Sequence, residues 1–308
     1  MTIEELNTMV ETGDIDEFIR VCEARQVKAL SKIADTITSR GGVRLVQLAG
    51  ASSAGKTTTA KRLATQLRVN GVEAFQLSTD DYFVGEEDNP VDENGEPDYE
   101  TIECVDMARL AADINALLAG GSVHLRYFDF QRKRGFDRET VTNLPEDGVI
   151  ILEGIHALNP RLTADVPEDC KFRIFIEPKT QLEVFGLTRL PSADGRLLRR
   201  LVRDNQFRKK SPIETFHLWP KVLAGEEKWI NPFRPNADVE FDSGLEYELA
   251  VLKHYVKGLL ELVRVREPEN VKAGVFAELL SAVEPADPTK VPGDSILRET
   301  IGGSQLEY

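Results

Sequence analysis

Short apolar runs alternate with amphipathic stretches through most of the chain. The runs are rich in branched apolar side chains and predict buried strands over residues 43–49, 72–77, 149–152, 172–176 and 237–241. Apolar residues spaced three and four apart predict helices over residues 60–67, 107–118 and 245–263. This alternation of strand and helix indicates an α/β fold, in which helices flank both faces of a parallel β-sheet.

The chain divides into three predicted parts. Residues 1–40 predict an N-terminal helical segment, which Gly41 and Gly42 end. Residues 41–265 carry the strand–helix alternation and predict one α/β domain. Residues 266–308 contain four prolines and predict a helical or extended tail.

Composition and charge exclude several classes of protein. Hydrophobic residues make up 41% of the 308 residues and the net charge is −14, so the chain is globular and unsuited to general nucleic-acid or anionic-membrane binding. No run approaches the roughly 18 apolar residues of a membrane span, and the first residues do not resemble an export signal. Cys22, Cys104 and Cys170 are too scattered for a disulfide framework or zinc site. We therefore expect a cytoplasmic protein with buried thiols.

One motif carries specific chemistry. Residues 50–57 read GASSAGKT and match the phosphate-binding pattern G-x-x-x-x-G-K-[ST], between a predicted strand and a predicted helix. Backbone N–H groups of such a loop point at phosphate oxygens, the lysine reaches the β- and γ-phosphates, and the hydroxyl ligates Mg²⁺. The sheet is therefore predicted to be of the P-loop NTPase type, with a nucleoside triphosphate and Mg²⁺ bound at the loop. The predicted nucleotide-binding residues are Gly50, Ala51, Ser52, Ser53, Ala54, Gly55, Lys56, Thr57 and Thr58.

Carboxylates follow two of the predicted strands. Glu153 ends the run 149–152, where ligands of open α/β sheets lie, and is the expected magnesium ligand alongside Thr57. Asp80 and Asp81 follow the run 72–77. A carboxylate there could take the proton of an attacking hydroxyl. Adjacent side chains of an extended segment point opposite ways, so one of the two is expected to face the phosphates.

Basic and acidic residues are gathered in separate segments. Four arginines recur at helical spacing and would share one face: Arg196, Arg199, Arg200 and Arg203. They predict an Arg-rich helical lid over about residues 194–212, with Asp194 as its N-cap, that closes on the triphosphate. The alternative is a solvated basic helix. The acidic stretch 86–103 is either a flap over the acceptor or a solvated loop.

These motifs together resemble the uridine kinase / phosphoribulokinase family of P-loop kinases. The resemblance rests on five segments in the family's order, namely Gly50–Thr58, Ser78–Phe83, Phe128–Phe130, Ile151–Ile155 and Asp194–Asp204. Three more segments are similar to a bacterial uridine kinase-like branch, in the form without a TGS domain. They are Gly225–Ile230, Tyr247–Lys253 and Ser295–Ser304.

The resemblance implies ATP-dependent phosphorylation of a small-molecule hydroxyl, the nucleoside 5′-hydroxyl in uridine kinases. It makes Asp80 the general base and Glu153 the magnesium-side acid. The implied catalytic residues are Asp80, Lys56, Arg196, Arg199 and Arg203. The implied acceptor-binding residues are Asp80, Tyr82, Phe128, Asp129 and Lys133.

The stretch 128–134, which follows the third strand in uridine kinases, departs from their pattern. Phe128 stands where they have tyrosine, and Lys133 falls near the position of a base-reading histidine. The run Arg132–Arg134 would suit a phosphorylated acceptor. Three functions therefore stay open: a uridine or cytidine kinase, a kinase for a sugar or phosphorylated sugar, and a P-loop regulator that transfers nothing. The expected partner is a small-molecule acceptor, and homo-oligomer formation is left open.

Overall fold

A five-stranded parallel sheet forms the centre of the protein. The computed structural model describes residues 1–93, 95–130, 132–179, 182–184 and 188–307. The strands are β1 (Leu45–Gly50), β2 (Ala74–Ser78), β3 (Ser122–Asp129), β4 (Arg134–Asn143), β5 (Val149–Glu153), β6 (Lys171–Glu177), β7 (Glu183–Val184), β8 (Thr188–Arg189) and β9 (Val239–Asp242). The central sheet has the order β2-β5-β1-β6-β9, and all its pairings are parallel. This confirms the predicted fold class, with strand ends shifted by one or two residues.

Helices cover both faces of this sheet. The helices of the described residues are α1 (Ile3–Thr12), α2 (Ile15–Arg40), α3 (Lys56–Val69), α4 (Met107–Leu118), α5 (Ser192–Phe207), α6 (Pro212–Trp229), α7 (Glu248–Arg266), α8 (Val271–Ser281) and α9 (Arg298–Ile301). Alternate residues of the strands point to opposite faces. Ile150 therefore packs with α4, whereas Ile151 packs with α2 and α3. Among the described residues, no helix is long and apolar enough to cross a bilayer.

Strands β3 and β4 form an antiparallel hairpin outside the central sheet. No strand was predicted over 134–143, because β4 is largely exposed and consists mostly of polar residues. The hairpin stands beside the segment that follows β2, where the backbone N–H of Phe128 donates to Asp81 at 3.4 Å. It therefore borders the carboxyl edge of the sheet.

A separate apolar core joins the arginine-bearing helix α5 to both ends of the chain. Leu6 of α1, Leu197 of α5, Phe276 of α8 and Leu297 before α9 belong to one buried cluster. Residues of the predicted tail thus pack inside the protein. Helix α5 begins at Ser192 with Pro191 as its N-cap, so the expected cap Asp194 is wrong. Asp194 instead lies in the first turn and pairs with Lys272.

The three cysteines are free thiols. Cys22 and Cys104 are buried and Cys170 is half-buried.

Candidate active site

The phosphate loop connects β1 to α3 and is held in a tight curl. The amide of Ala54 donates to the carbonyl of Ala51 at 3.1 Å. Ser53 and Gly55 have left-handed backbone conformations, with φ of 62° and 87°. A Cβ added to Gly50 would lie 2.4 Å from the carbonyl oxygen of Ile176. Small residues are therefore required at the positions where the motif places them.

Four of the predicted site residues meet at the carboxyl edge of the sheet. Lys56 Nζ donates to the carbonyl of Ala51 at 3.2 Å, and Thr57 Oγ1 donates to Glu153 Oε1 at 3.2 Å. Burial lowers the pKa of Lys56, and the negative charges of Glu153 and Asp80 oppose that shift. Burial raises the pKa of Glu153 to about 7, and the neighbouring Asp80 adds to the increase. The cluster thus places a buried carboxylate, Glu153, beside the half-buried charges of Lys56 and Asp80.

The oxygens of Thr57 and Glu153 fit a hard divalent cation. Mg²⁺ is commonly held by one or two carboxylates, substrate phosphates and water. Within the described part of the chain, no group of three or more His, Cys, Asp and Glu residues could hold a metal ion without other ligands. Thr57 and Glu153 suit a cation whose other ligands are nucleotide phosphates and water.

Asp80 and Asp81 face different surroundings. Both lie in a short 3₁₀ turn after β2. The charge of Asp80 acts on Lys56 and Glu153. Asp81 instead accepts from the amide of Phe128 and lies 3.9 Å from Arg138, while burial raises its pKa. The turn therefore directs one carboxylate to the phosphate loop and the other to the hairpin.

The four arginines of α5 are buried, which excludes the alternative of a solvated basic helix. Arg196 Nη1 donates to the carbonyl of Ser52 at 3.2 Å, and Arg200 Nη1 donates to the Ser52 hydroxyl at 2.7 Å. Arg199 Nη1 lies 3.5 Å from the carbonyl of Ser53. The helix thus lies directly against the phosphate loop.

Protein carboxylates pair with the arginines of α5. Arg196 pairs with Glu226 at 2.7 Å, and Arg203 pairs with Asp204 at 2.8 Å. Arg199 pairs with Glu248, and both side chains are buried. Burial opposes ionisation of Asp204, but Arg203 and Arg200 outweigh it and lower its pKa. Sequence reasoning missed Glu226 and Glu248 as partners, since both are distant from α5 along the chain.

Two further residues approach Asp80 from separate segments. Glu100 lies against α6, where a Cβ added to Gly225 would be 2.4 Å from Glu100 Cβ. Burial raises the pKa of Glu100 to about 7, Arg200 and Lys56 oppose the increase, and Asp98 and Asp80 add to it. His156 is buried beyond the end of β5, and burial lowers its pKa to about 4 although Asp80 opposes the change. Both were missed, because no local pattern marks them.

The acidic stretch 86–103 is attached to the rest of the protein rather than solvated along its length. Lys221 of α6 binds Asp92 at 2.7 Å and donates to the carbonyl of Pro97 at 3.0 Å. Glu86 pairs with Lys133 of the hairpin. These contacts place the stretch between α6 and the hairpin, on the side of the site where Glu100 lies.

The structure does not support an acceptor-binding role for Tyr82. Its ring is fully buried in the core and its hydroxyl donates to Asp113 at 2.8 Å. Asp113 in turn accepts from Arg109. The aromatic ring of the motif therefore packs inward, because the 3₁₀ turn after β2 points this side chain away from the phosphate loop.

Besides Asp80 and Tyr82, the three remaining predicted acceptor-binding residues lie at the end of the hairpin. Phe128 packs edge-to-face on Phe83 and Phe130, with ring centroids 5.7 and 5.1 Å apart. Asp129 accepts from the backbone N–H of Arg132 at 3.0 Å. Lys133 is exposed and has a left-handed φ of 50°. A cluster of aromatic rings thus borders the site. The neighbouring cations Arg132 and Lys133 lie close to the carboxylates of Asp129 and Glu86.

The sequence is similar to a known family and to several of its members. The model of the "Phosphoribulokinase / Uridine kinase family" matches residues 45–250. A uridine kinase of Halobacterium salinarum is 30% identical over 202 residues, 65% of this chain and 80% of that protein. A uridine kinase of Deinococcus deserti is 30% identical over 202 residues, 65% of this chain and 87% of that protein.

A solved structure described as a possible uridine kinase from Bacillus stearothermophilus is also similar. It has a TM-score of 0.46 and 20% identity, and the match covers 71% of this chain and all of that one. Since the family model spans more than half of the sequence, the chain belongs to the phosphoribulokinase / uridine kinase family and is a phosphotransferase that acts on a hydroxyl group of a small molecule.

Proposed function

We propose that the protein transfers the γ-phosphoryl group of ATP to the 5′-hydroxyl of a pyrimidine nucleoside, uridine or cytidine. The observation that carries the choice of acceptor is the charge around Asp80. Glu100 lies against α6, close enough to Asp80 and Arg200 for their charges to act on its carboxyl group. Carboxylates accept hydrogen bonds from neutral hydroxyls and repel phosphates. The carboxylates of Asp80 and Glu100 therefore favour a neutral, hydroxyl-rich acceptor.

The sequence suggested that the cations at the end of the hairpin would bind a phosphorylated acceptor. Contacts of Arg132 and Lys133 with carboxylates weaken that interpretation. Lys133 is paired with Glu86, and Arg132 lies 3.6 Å from Asp129. An acceptor phosphate would have to compete with these carboxylates. Phe128, Phe83 and Phe130 offer apolar ring surface, which suits a flat nucleobase.

The proposed transfer is direct and in line. The acceptor oxygen attacks the γ-phosphorus while its proton passes to Asp80, the bond from the γ-phosphorus to the β–γ bridging oxygen breaks, and ADP leaves. Lys56 binds the β- and γ-phosphates, and the loop amides bind the remaining phosphate oxygens. Arg196, Arg199 and Arg203 would neutralise the developing charge and exclude water.

Mg²⁺ bound by Thr57, Glu153 and the phosphates would neutralise charge on the transferred group. The chain's own contribution is to orient these two oxygens. Thr57 lies at the start of α3 and Glu153 at the end of β5, and their 3.2 Å contact holds both beside Lys56.

The proposal is tested by measuring ADP release from MgATP with an acceptor panel, and by identifying the product with phosphorus NMR. The panel contains uridine, cytidine, purine nucleosides, ribose and pentose phosphates, with Lys56→Ala as the blank. We expect uridine or cytidine to stimulate ADP release and to yield a 5′-monophosphate. Stimulation by a pentose phosphate alone would overturn the neutral-acceptor assignment while leaving the kinase chemistry in place.

A further inference from the structure

The last helix of the chain touches the phosphate loop, although it lies outside the residues that the family model matches. Thr58 Oγ1, in the first turn of α3, donates to Glu299 Oε2 at 2.9 Å. Ile296 covers the loop, since a Cβ added to Gly55 would lie 2.4 Å from Ile296 Cγ2. The segment Ser295–Ile301, which we term the C-terminal wall, therefore meets the loop through one apolar and one charged side chain.

The C-terminal wall closes one side of a small pocket beside the phosphate loop. The lining includes Ser53 of the phosphate loop, Arg199 and Arg203 of α5, and Ile296 and Glu299 of the wall. The pocket thus combines loop, arginine helix and tail. Each of these elements comes from a different part of the sequence.

The wall is fixed in place rather than attached by one contact. Leu297 and Ile301 are buried in the core that contains α5. Arg298 donates to the carbonyls of Pro288 at 3.1 Å and Gly302 at 3.2 Å. Ser295 is buried, and its hydroxyl accepts from the amide of Leu297 at 3.1 Å. These contacts make the segment a fixed part of the fold beside the phosphate loop.

The position of the wall indicates which part of the donor it meets. Asp80 and Glu153 follow β2 and β5, so the γ-phosphate end belongs on that side of the loop. Ser243, which follows the opposite edge strand β9, donates to the carbonyl of Ala54 at 2.6 Å, and the wall joins the loop there. We expect the nucleoside of the donor to leave the loop on this second side.

A carboxylate at this position selects a particular chemical group. Glu299 would repel the phosphates but can accept hydrogen bonds from neutral hydroxyls. It already accepts one from the hydroxyl of Thr58 on the phosphate-binding helix. The ribose is the part of a nucleoside triphosphate that is bonded directly to the α-phosphate. Its hydroxyls are therefore the first neutral hydroxyl groups of the donor beyond the phosphates.

We propose that the C-terminal wall forms the nucleoside side of the donor site and that Glu299 accepts hydrogen bonds from the ribose hydroxyls of the donor. Glu299 would then be a specificity residue that favours ribonucleotides over their deoxy analogues. This inference rests on the proposed use of a nucleoside triphosphate, but not on the identity of the acceptor.

Direct binding tests the proposal without any acceptor. Calorimetry would compare MgADP with Mg-2′,3′-dideoxy-ADP on the wild type and on Glu299→Ala. We expect the wild type to bind MgADP about tenfold more tightly than the dideoxy analogue, as one charge-assisted hydrogen bond allows. Glu299→Ala should bind the two within about twofold. Using the ratio cancels the general effect of removing a negative charge near phosphates.

Asp294→Asn is the matched control, because Asp294 is an exposed carboxylate next to the wall and its loss changes the charge equally. It should keep the wild-type ratio. A Glu299→Ala protein that still prefers MgADP tenfold, or that changes only its preference between MgADP and Mg-inosine diphosphate, would overturn the ribose assignment. Failure of the wild type to bind either nucleotide would instead reject the P-loop function itself.

Discussion

At the scale of single residues, burial governs the ionisation of the site. Burial lowers the pKa of Lys56 and raises the pKa of Glu153 to about 7. Ionising Glu153 in the nucleotide-free protein therefore costs free energy of folding. A bound cation and the phosphates would remove that cost. Ligand binding and protein stability should therefore be linked through Glu153.

Glu153→Gln should stabilise the nucleotide-free protein, and this stabilisation should increase as pH rises. The folded-state pKa of Glu153, about 7, exceeds the ordinary value of 4.5, so the wild type loses stability as pH increases through this range. The melting temperature of Glu153→Gln relative to the wild type should thus increase from pH 5 to pH 8. With saturating MgATP the order should reverse, because the variant lacks a metal ligand. An equal difference at both pH values would contradict the raised pKa.

Glu100→Gln tests the acceptor side of the site. Burial raises the pKa of Glu100 to about 7, so its carboxylate gains charge, and becomes a stronger hydrogen-bond acceptor, as pH increases through 7. At saturating MgATP, kcat/KM for the acceptor should rise over this range in the wild type. The variant should lose about tenfold at pH 8 and show a flatter profile. An unchanged profile would remove Glu100 from acceptor binding.

At the scale of elements, α5 is held against the phosphate loop by charges from other elements. Arg199 of α5 and Glu248 of α7 are both buried, and Arg199 Nη2 also donates to the carbonyl of Ser243 at 2.9 Å. Burial raises the pKa of Glu248, and Arg199 opposes this change. The arginine helix is therefore part of the folded framework as well as a candidate phosphate contact.

Removing the partner of Arg199 should be costly. Glu248→Ala leaves a buried guanidinium without its carboxylate, so we expect a loss of about 3–5 kcal/mol in the free energy of unfolding. The matched control is Glu17→Ala, which breaks the exposed pair of Arg20 and Glu17, with side chains 66% and 67% exposed. That change should cost less than about 1 kcal/mol. Urea denaturation measures both, and similar losses would contradict the burial argument.

Sequence patterns predicted the elements whose signal is local. The phosphate loop is one contiguous motif, and β5 is a continuous buried run, so both were located from spacing alone. The hairpin strand β4 was missed because its exposed, polar side chains give no apolar pattern. Glu100 was missed because its burial depends on Gly225, which is far away in the sequence. Tyr82 was misplaced because a motif does not specify which way a 3₁₀ turn directs each side chain.

At the scale of the whole molecule, both ends of the chain fold onto the arginine helix. Leu6, Leu197 and Phe276 share one buried cluster. Asn7 of α1 also donates to the carbonyl of Ala282 at 2.7 Å. The terminal segments therefore support the position of α5, and through the C-terminal wall they reach the phosphate loop.

Two neighbouring residues of α8 test this role of the tail. Phe276 is 1% exposed in the shared core, whereas Val275 is 51% exposed. Phe276→Ala should lower the free energy of unfolding by about 3–5 kcal/mol, and Val275→Ala should change it by no more than about 0.5 kcal/mol. Both are read from denaturation of the full chain. Equal, small effects would show that the tail is independent of the core.

The account as a whole depends on Asp80 as the base that receives the acceptor proton. The most direct measurement is kcat for ADP formation, with the acceptor that the panel identifies, in Asp80→Asn and in Asp81→Asn. Asp81 is the matched control, since it binds the amide of Phe128 rather than facing Lys56. We predict that Asp80→Asn lowers kcat by about 10²–10⁴-fold without weakening MgATP binding, and that Asp81→Asn keeps most of the activity. Wild-type turnover by Asp80→Asn, or equal losses in both variants, would contradict the account.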